Sequence, residues 1–161
     1  MTIESLAAVA FAAMSILGRV EHVPPSEQIA HAIGAAVFYD DEGRLTGSAE
    51  TDAVYMAEEA YQESRFGGQW IGSGLAHVDC PEGDGGMSFG YFQLQTRPEI
   101  GCSVDDAARL WVHWAHLSQK RCRRLPIAER LSHLHSGTCA LGHVVSRFRW
   151  AQAAIVARAL Q

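Results

Sequence analysis

The sequence predicts a mainly α fold. Three observations carry this. Apolar residues recur at three- and four-residue spacing through most of the chain, Ser, Thr and Pro stand where helices should begin, and 9 of the 15 glycines collect between residues 67 and 105. The 161 residues suffice for a hydrophobic core. A content of 48% hydrophobic and 19% charged residues is ordinary for a globular chain.

The elements follow in order. Residues 3–20 read as a first helix. Its Ala-rich stretch from Leu6 to Leu17 is preceded by Glu4 and by no Lys or Arg, so it is expected to pack on the domain rather than to serve as an export signal. Pro24 and Pro25 break the chain, and Ser26 can cap a second helix through Phe38. Asp40-Asp41-Glu42-Gly43 reads as a turn. Ser48 or Thr51 can cap a third helix, with Asp52 suited to its positive N-terminal end. Val54, Ala57, Tyr61 and Ser64 fall at helical spacing, so that face should turn inward. Gly67 and Gly68 should end this helix and leave Glu63 in its last turns. Residues 67–105, with Pro81 and Pro98, read as a long loop region or a small β-hairpin near Ser88–Gln95, and loops this long are usually functional. Helices resume over 106–121, with Leu110, Trp114 and Leu117 on one face, and over 142–160, with Val144, Phe148, Ala151 and Ile155 on one face. No run of about 20 apolar residues occurs, so no stable membrane insertion is expected.

Charge is divided unevenly. The formal net charge of −5 argues against general nucleic-acid binding. Residues 1–106 sum to −13 and residues 107–161 to +8, so the two ends should attract, and a cleft between them would have one acidic and one basic wall. Cys80, Cys102, Cys122 and Cys139 include no C-x-x-C pair. Two disulfides in any of three connectivities, or four reduced thiols, are both open.

Three stretches carry chemistry: Glu63-Ser64-Arg65-Phe66, Ser88-Phe89-Gly90-Tyr91-Phe92-Gln93-Leu94, and Leu134-His135-Ser136-Gly137. Breaking a glycosidic bond needs a proton on a poor leaving group, which a carboxylic acid supplies if an apolar site raises its pKa toward about 6. Glu63, with Tyr61 and Phe66 nearby in sequence, is the candidate. Gly90 would let a backbone approach a sugar closely, and Gln93 can both donate and accept. Trp70 and Tyr91 are candidate sugar platforms, whereas Trp111 and Trp114 are expected in the core.

These stretches, in this order, resemble lytic transglycosylases and goose-type lysozymes. That family pairs a Glu-Ser dipeptide at a helix end with a downstream Gly-x-Met-Gln segment. Phe92 stands where Met is usual, and Leu134-His135-Ser136-Gly137 stands where relatives show Tyr-Asn-Ala-Gly. The resemblance implies a lysozyme-like α-helical catalytic domain over residues 48–161, with residues 1–47 as accessory helices packed on it. It implies cleavage of the β-1,4 bond between N-acetylmuramic acid and N-acetylglucosamine in peptidoglycan. Glu63 would be the general acid. Ser64, Trp70, Ser88, Gly90, Tyr91, Gln93 and His135 would meet the glycan strand, and no cofactor or metal would be needed.

Hydrolysis or lytic transglycosylation both fit. Asp84 lies six residues before Gly90, where goose-type lysozymes carry an acid, and can hold a water for inversion, with Asp79 as a spare. Gln95 replaces a further acid, and transglycosylases need only the one glutamate. Such an enzyme acts in the periplasm or at the cell wall, as a phage lysin, as a virion-associated enzyme or as an exported bacterial enzyme. Its partners would then include virion or secretion-machine components. Two other readings are a zinc-dependent cell-wall peptidase using His133 and His135, and a non-catalytic cell-wall binding or virion module of the same fold.

Overall fold

The computed structural model describes residues 1–71, 74–83 and 87–161, with only the backbone of 68–71, 74–77 and 83. The fold is mainly helical. Helix α1 spans Ile3–Leu17, α2 Glu27–Phe38, α3 Ala49–Ser64, α4 Pro98–Gly101, α5 Val104–Arg121, α6 Ser132–Ser136 and α7 His143–Ala159. Strands β1 (Gly68–Ile71) and β2 (Gly74–His77) pair antiparallel, as do the two-residue strands β3 (Glu82–Gly83) and β4 (Ser88–Phe89).

Side-chain caps start four of the five long helices, α7 being the exception. Thr2 and Ser5 form a reciprocal capping box on α1, and Ser26, Ser48 and Ser103 each accept a backbone N–H at the starts of α2, α3 and α5. Asp52 does more than complement a helix terminus. It is buried and accepts from Leu45 N at 3.1 Å, Thr46 N at 2.7 Å and Thr46 Oγ1 at 2.6 Å, which clamps the approach to α3. Three hydrogen bonds satisfy a carboxylate that burial would otherwise penalise.

Helix α1 lies on α2 and α3, with Leu6, Ala10, Ala13 and Met14 buried. The crossing is close because Gly34 has no side chain: a Cβ there would stand 2.7 Å from Ala7 N and 2.8 Å from Ile3 O. The apolar cluster runs without interruption from α1 through α2, α3 and α5 to Ala153 and Val156 of α7. Trp111 lies at its centre, fully buried against Tyr55 and Phe92, as the sequence suggested.

Three local expectations change, and the open question of the cysteines receives an answer. The α3 helix ends at Arg65, which adopts a left-handed conformation with φ 52°, ahead of Gly67. The loop region holds a hairpin over 68–77, and near residue 88 only a two-residue strand pair with a single bridge between Phe89 and Leu94. The face of α7 marked by Val144, Phe148, Ala151 and Ile155 turns to solvent, while Ser146, Ala153 and Val156 turn inward. The inward face follows the buried polar group at Ser146 and Arg149, which fixes the helix's rotation. The cysteines pair as Cys80–Cys102 and Cys122–Cys139. Among the described residues no helix is long and apolar enough to cross a membrane.

Candidate active site

A cleft of about 830 Å³ runs beside the C-terminal half of α3. It draws its walls from all three stretches singled out in the sequence. Its lining includes Glu59 and Glu63 of α3, Ser88, Gln93 and Gln95 of the loop region, Trp114 and Arg121 of α5, and His133 and His135 of α6. Trp114 thus lies half-buried in the cleft wall.

Glu63 reaches this cleft because it stands on the last turn of α3, two residues before Arg65 turns the chain away. Its side chain is 28% exposed, and Arg149 Nη1 lies 2.5 Å from its Oε1. Burial raises its carboxyl above the ordinary range; Arg149 pulls it down, and the neighbouring negative charge of Glu59 pushes it up, with the net direction upward.

Glu59 lies one turn earlier on the same face of α3. It is fully buried and bound on both oxygens, to His135 Nε2 at 3.0 Å and to Arg149 Nη1 at 2.5 Å. Burial would raise its carboxyl, but His135 and Arg149 together outweigh burial and hold it low. His135 is in turn fixed through Nδ1 by Ser146 Oγ at 3.0 Å. A continuous buried polar chain therefore runs Ser146, His135, Glu59, Arg149, Glu63. Glu58, the residue before Glu59, is buried with no hydrogen-bond partner on either oxygen among the described residues. Burial first, and the Glu59 charge second, push its carboxyl up to about 9, so it is protonated at neutral pH.

The second stretch is tied to the first by Ser64. Its hydroxyl donates to Tyr91 O at 2.9 Å, across 27 residues of chain, so the helix end and the Gln93 loop are one unit. Gln93 adopts a left-handed φ of 45°, unusual for a non-glycine residue. Its amide nitrogen donates to Pro81 O at 3.0 Å and Gly90 O at 2.9 Å. Both N–H bonds are thereby used, and among the described residues the side chain has its carbonyl oxygen left to offer a ligand.

The expected site residues divide accordingly. Glu63, Ser88, Gln93 and His135 line the cleft together. Ser64, Gly90 and Tyr91 do not; they are buried behind its wall. Gly90 does permit a close backbone approach, but to the protein itself: with φ 77°, a Cβ would stand 1.7 Å from Gly101 O. The Tyr91 side chain is buried, and its carbonyl serves Ser64. Asp84 and the side chain of Trp70 lie outside the described residues. Asp79 is exposed and is not part of the described lining. His133 accepts from Arg121 Nη1 at 2.7 Å, and both ring nitrogens of His135 are engaged, so neither is free to ligate a metal in this arrangement. Among the described residues no group of three or more His, Cys, Asp or Glu side chains is placed to hold a metal ion.

Sequence reasoning missed Arg149, Glu59 and Arg121. The available signals were the i, i+4 spacing of Glu59 and Glu63, and an arginine lying among apolar residues of the last helix. No protein-family model, curated protein or solved structure matches this chain.

Proposed function

We propose that the protein cuts the glycan strands of peptidoglycan at the β-1,4 bond between N-acetylmuramic acid and N-acetylglucosamine, with Glu63 as general acid. One observation carries the reading: a carboxyl raised by burial faces a cleft of about 830 Å³, beside amide, hydroxyl and indole groups suited to bind sugars. Glu63 gives its proton to the bridging oxygen as the bond to the anomeric carbon breaks. The carboxylate left behind stands beside the Arg149 guanidinium, which stabilises the charge.

Among the described lining residues only Glu59 and Glu63 carry carboxyl groups, and Glu59 is fully engaged. Position 95 holds an amide where a second acid would activate water. This favours lytic transglycosylation: the sugar's own 6-hydroxyl attacks the anomeric centre, Glu63 takes its proton, and a 1,6-anhydro end results. Hydrolysis through Asp84 is the second outcome of the same test.

Purified cell walls are digested and the products weighed by mass spectrometry. Anhydro ends support transglycosylation, and reducing ends support hydrolysis. Glu63→Gln should lower the rate by at least roughly 100-fold, the usual contribution of general acid catalysis, with an unchanged thermal midpoint. A Glu63→Gln protein that still clears cell walls at near the native rate, or a native protein that never does, overturns the reading.

A further inference from the structure

The acidic and basic parts of the chain meet in the cleft. Its α3 portion presents Glu59 and Glu63, both paired with Arg149. Its other charged portion, at the end of α5, is basic and is not neutralised. Arg121 lines the cleft and its guanidinium reaches only His133, at 2.7 Å, with no carboxylate partner among the described residues. A guanidinium can only donate, so this contact with an imidazole orients it without compensating its charge. Arg123 and Arg124 follow, both exposed, and neither has a carboxylate partner among the described residues. Lys120 does have one, Glu42, at 2.6 Å. Cys122, in the middle of this run, is buried and bonded to Cys139, two residues beyond the cleft residue Gly137. The disulfide therefore fastens the basic run to the cleft's rim.

This is a concentrated positive field in a protein whose net charge is −5. Unpaired like charges held side by side repel one another, and a fixed cation in a concave wall focuses field into the cleft. A neutral glycan offers such a group hydrogen-bond acceptors but no charge to compensate its own. Arg121, His133, His135 and Glu63 line the same cleft, so a substituent on a sugar bound at Glu63 shares that cleft with the guanidinium.

Resting on the glycan-cutting reading above, we propose that Arg121, supported by Arg123 and Arg124, is an anion subsite that binds a carboxylate carried on the substituents of the glycan strand. Two sources share this chemistry: the lactyl acid of a strand without peptides, and the carboxylates of an attached stem peptide. Arg121 makes a charge-assisted, two-pronged contact with the carboxylate, and the other two arginines extend its field beyond the cleft.

The test is binding, measured by calorimetry on full-length Glu63→Gln protein with its disulfides intact, so that no cleavage intervenes. Three oligosaccharides of equal length are compared: one of N-acetylglucosamine alone, one alternating with N-acetylmuramic acid in its free lactyl form, and the same with stem peptides attached. One acidic ligand should bind at least about 10-fold tighter than the neutral one at low salt, and which of the two does so identifies the source. The preference should shrink with added salt. Arg121→Gln in the same background should abolish it, and Arg123→Gln with Arg124→Gln should reduce it while the neutral ligand binds as before. Equal binding of all three ligands, or a preference that survives Arg121→Gln, overturns the anion subsite and leaves the glycan cleft standing. No binding of any ligand overturns both. A mixed-sequence RNA oligomer that binds as tightly as the acidic glycan would make the arginines a general polyanion surface and overturn the assignment too.

Discussion

Replacing Glu58 with Gln should remove a pH dependence from the stability of the fold. Glu58 is wholly buried in α3 and neither of its oxygens is hydrogen-bonded among the described residues, so its charged form is strongly disfavoured. Its carboxyl is pushed to about 9, by burial first and by the Glu59 charge second, from an ordinary value of 4.5. The folded pKa is raised, so the sign is fixed. The stabilisation from the bound proton is complete below about pH 4.5 and is lost progressively as the pH climbs toward about 9. One proton gives a slope of about 1.4 kcal/mol per pH unit, or up to about 2.7 kcal/mol between pH 6 and 8. At roughly 2–4 °C per kcal/mol for a chain of this size, the thermal midpoint should fall by about 5–10 °C over that interval. Glutamine keeps the shape and has no proton to lose. Other titrating groups act equally in both proteins and cancel in the difference. Melts of native and Glu58→Gln protein from pH 5 to 9 should therefore converge at the acid end and diverge at the alkaline end, with the variant the more stable. Parallel midpoints across the range would show that Glu58 does not hold a proton in the folded chain.

Arg149→Met keeps most of the packing volume but strips Glu59 of its cation. Breaking a buried ion pair costs about 3–5 kcal/mol, so the midpoint should drop by roughly 6–20 °C. Any surviving activity should have its alkaline limb moved upward, because Arg149 no longer holds the Glu63 carboxyl down; a limb moved downward contradicts the pairing. Gly90→Ala should fail to fold or melt far below the native protein, since its Cβ would lie 1.7 Å from Gly101 O. A normal melt with weakened glycan binding would instead make Gly90 a ligand contact. Reduction of the disulfides, whose loops span 22 and 17 residues, should each remove about 3 kcal/mol, read as a midpoint lower in reductant.

Much of this fold was legible because helix starts and apolar spacing are local signals. Ser26 and Ser48 cap as their residue types suggest, and the inward face of α3 follows from Val54, Ala57, Tyr61 and Ser64. The last helix shows where local signals end. Its apolar stripe of Val144, Phe148 and Ile155 faces solvent because Arg149 and Ser146, on another side of the helix, are drawn to Glu59 and His135 by contacts with residues at distant positions in the sequence. The cleft divides the same way. Glu63 and Gln93 were found from motifs, whereas the ion-paired chain that sets the charge at Glu63 joins α3, α6 and α7, and no spacing along the sequence encodes it. Its traces were the uneven charge of the two ends, the i, i+4 spacing of Glu59 and Glu63, and an arginine among apolar residues of the last helix. The histidine at position 135, read as a substitute for an amide, is bound instead to a carboxylate and a hydroxyl.

The hydrogen bond from Ser64 to Tyr91 also bears on how such a protein can be altered. Together with the Val78 N–Gly67 O bond at 2.7 Å and the Cys80–Cys102 bridge, it closes a frame beside the cleft from which the β1–β2 hairpin departs and to which it returns. The two ends of that excursion are anchored independently of its length. Peptides inserted within it, or graftings that shorten it, leave the spacing of Glu63 and Gln93 untouched. This is the place where a designer can exchange sequence to change what the protein reaches without disturbing the acid.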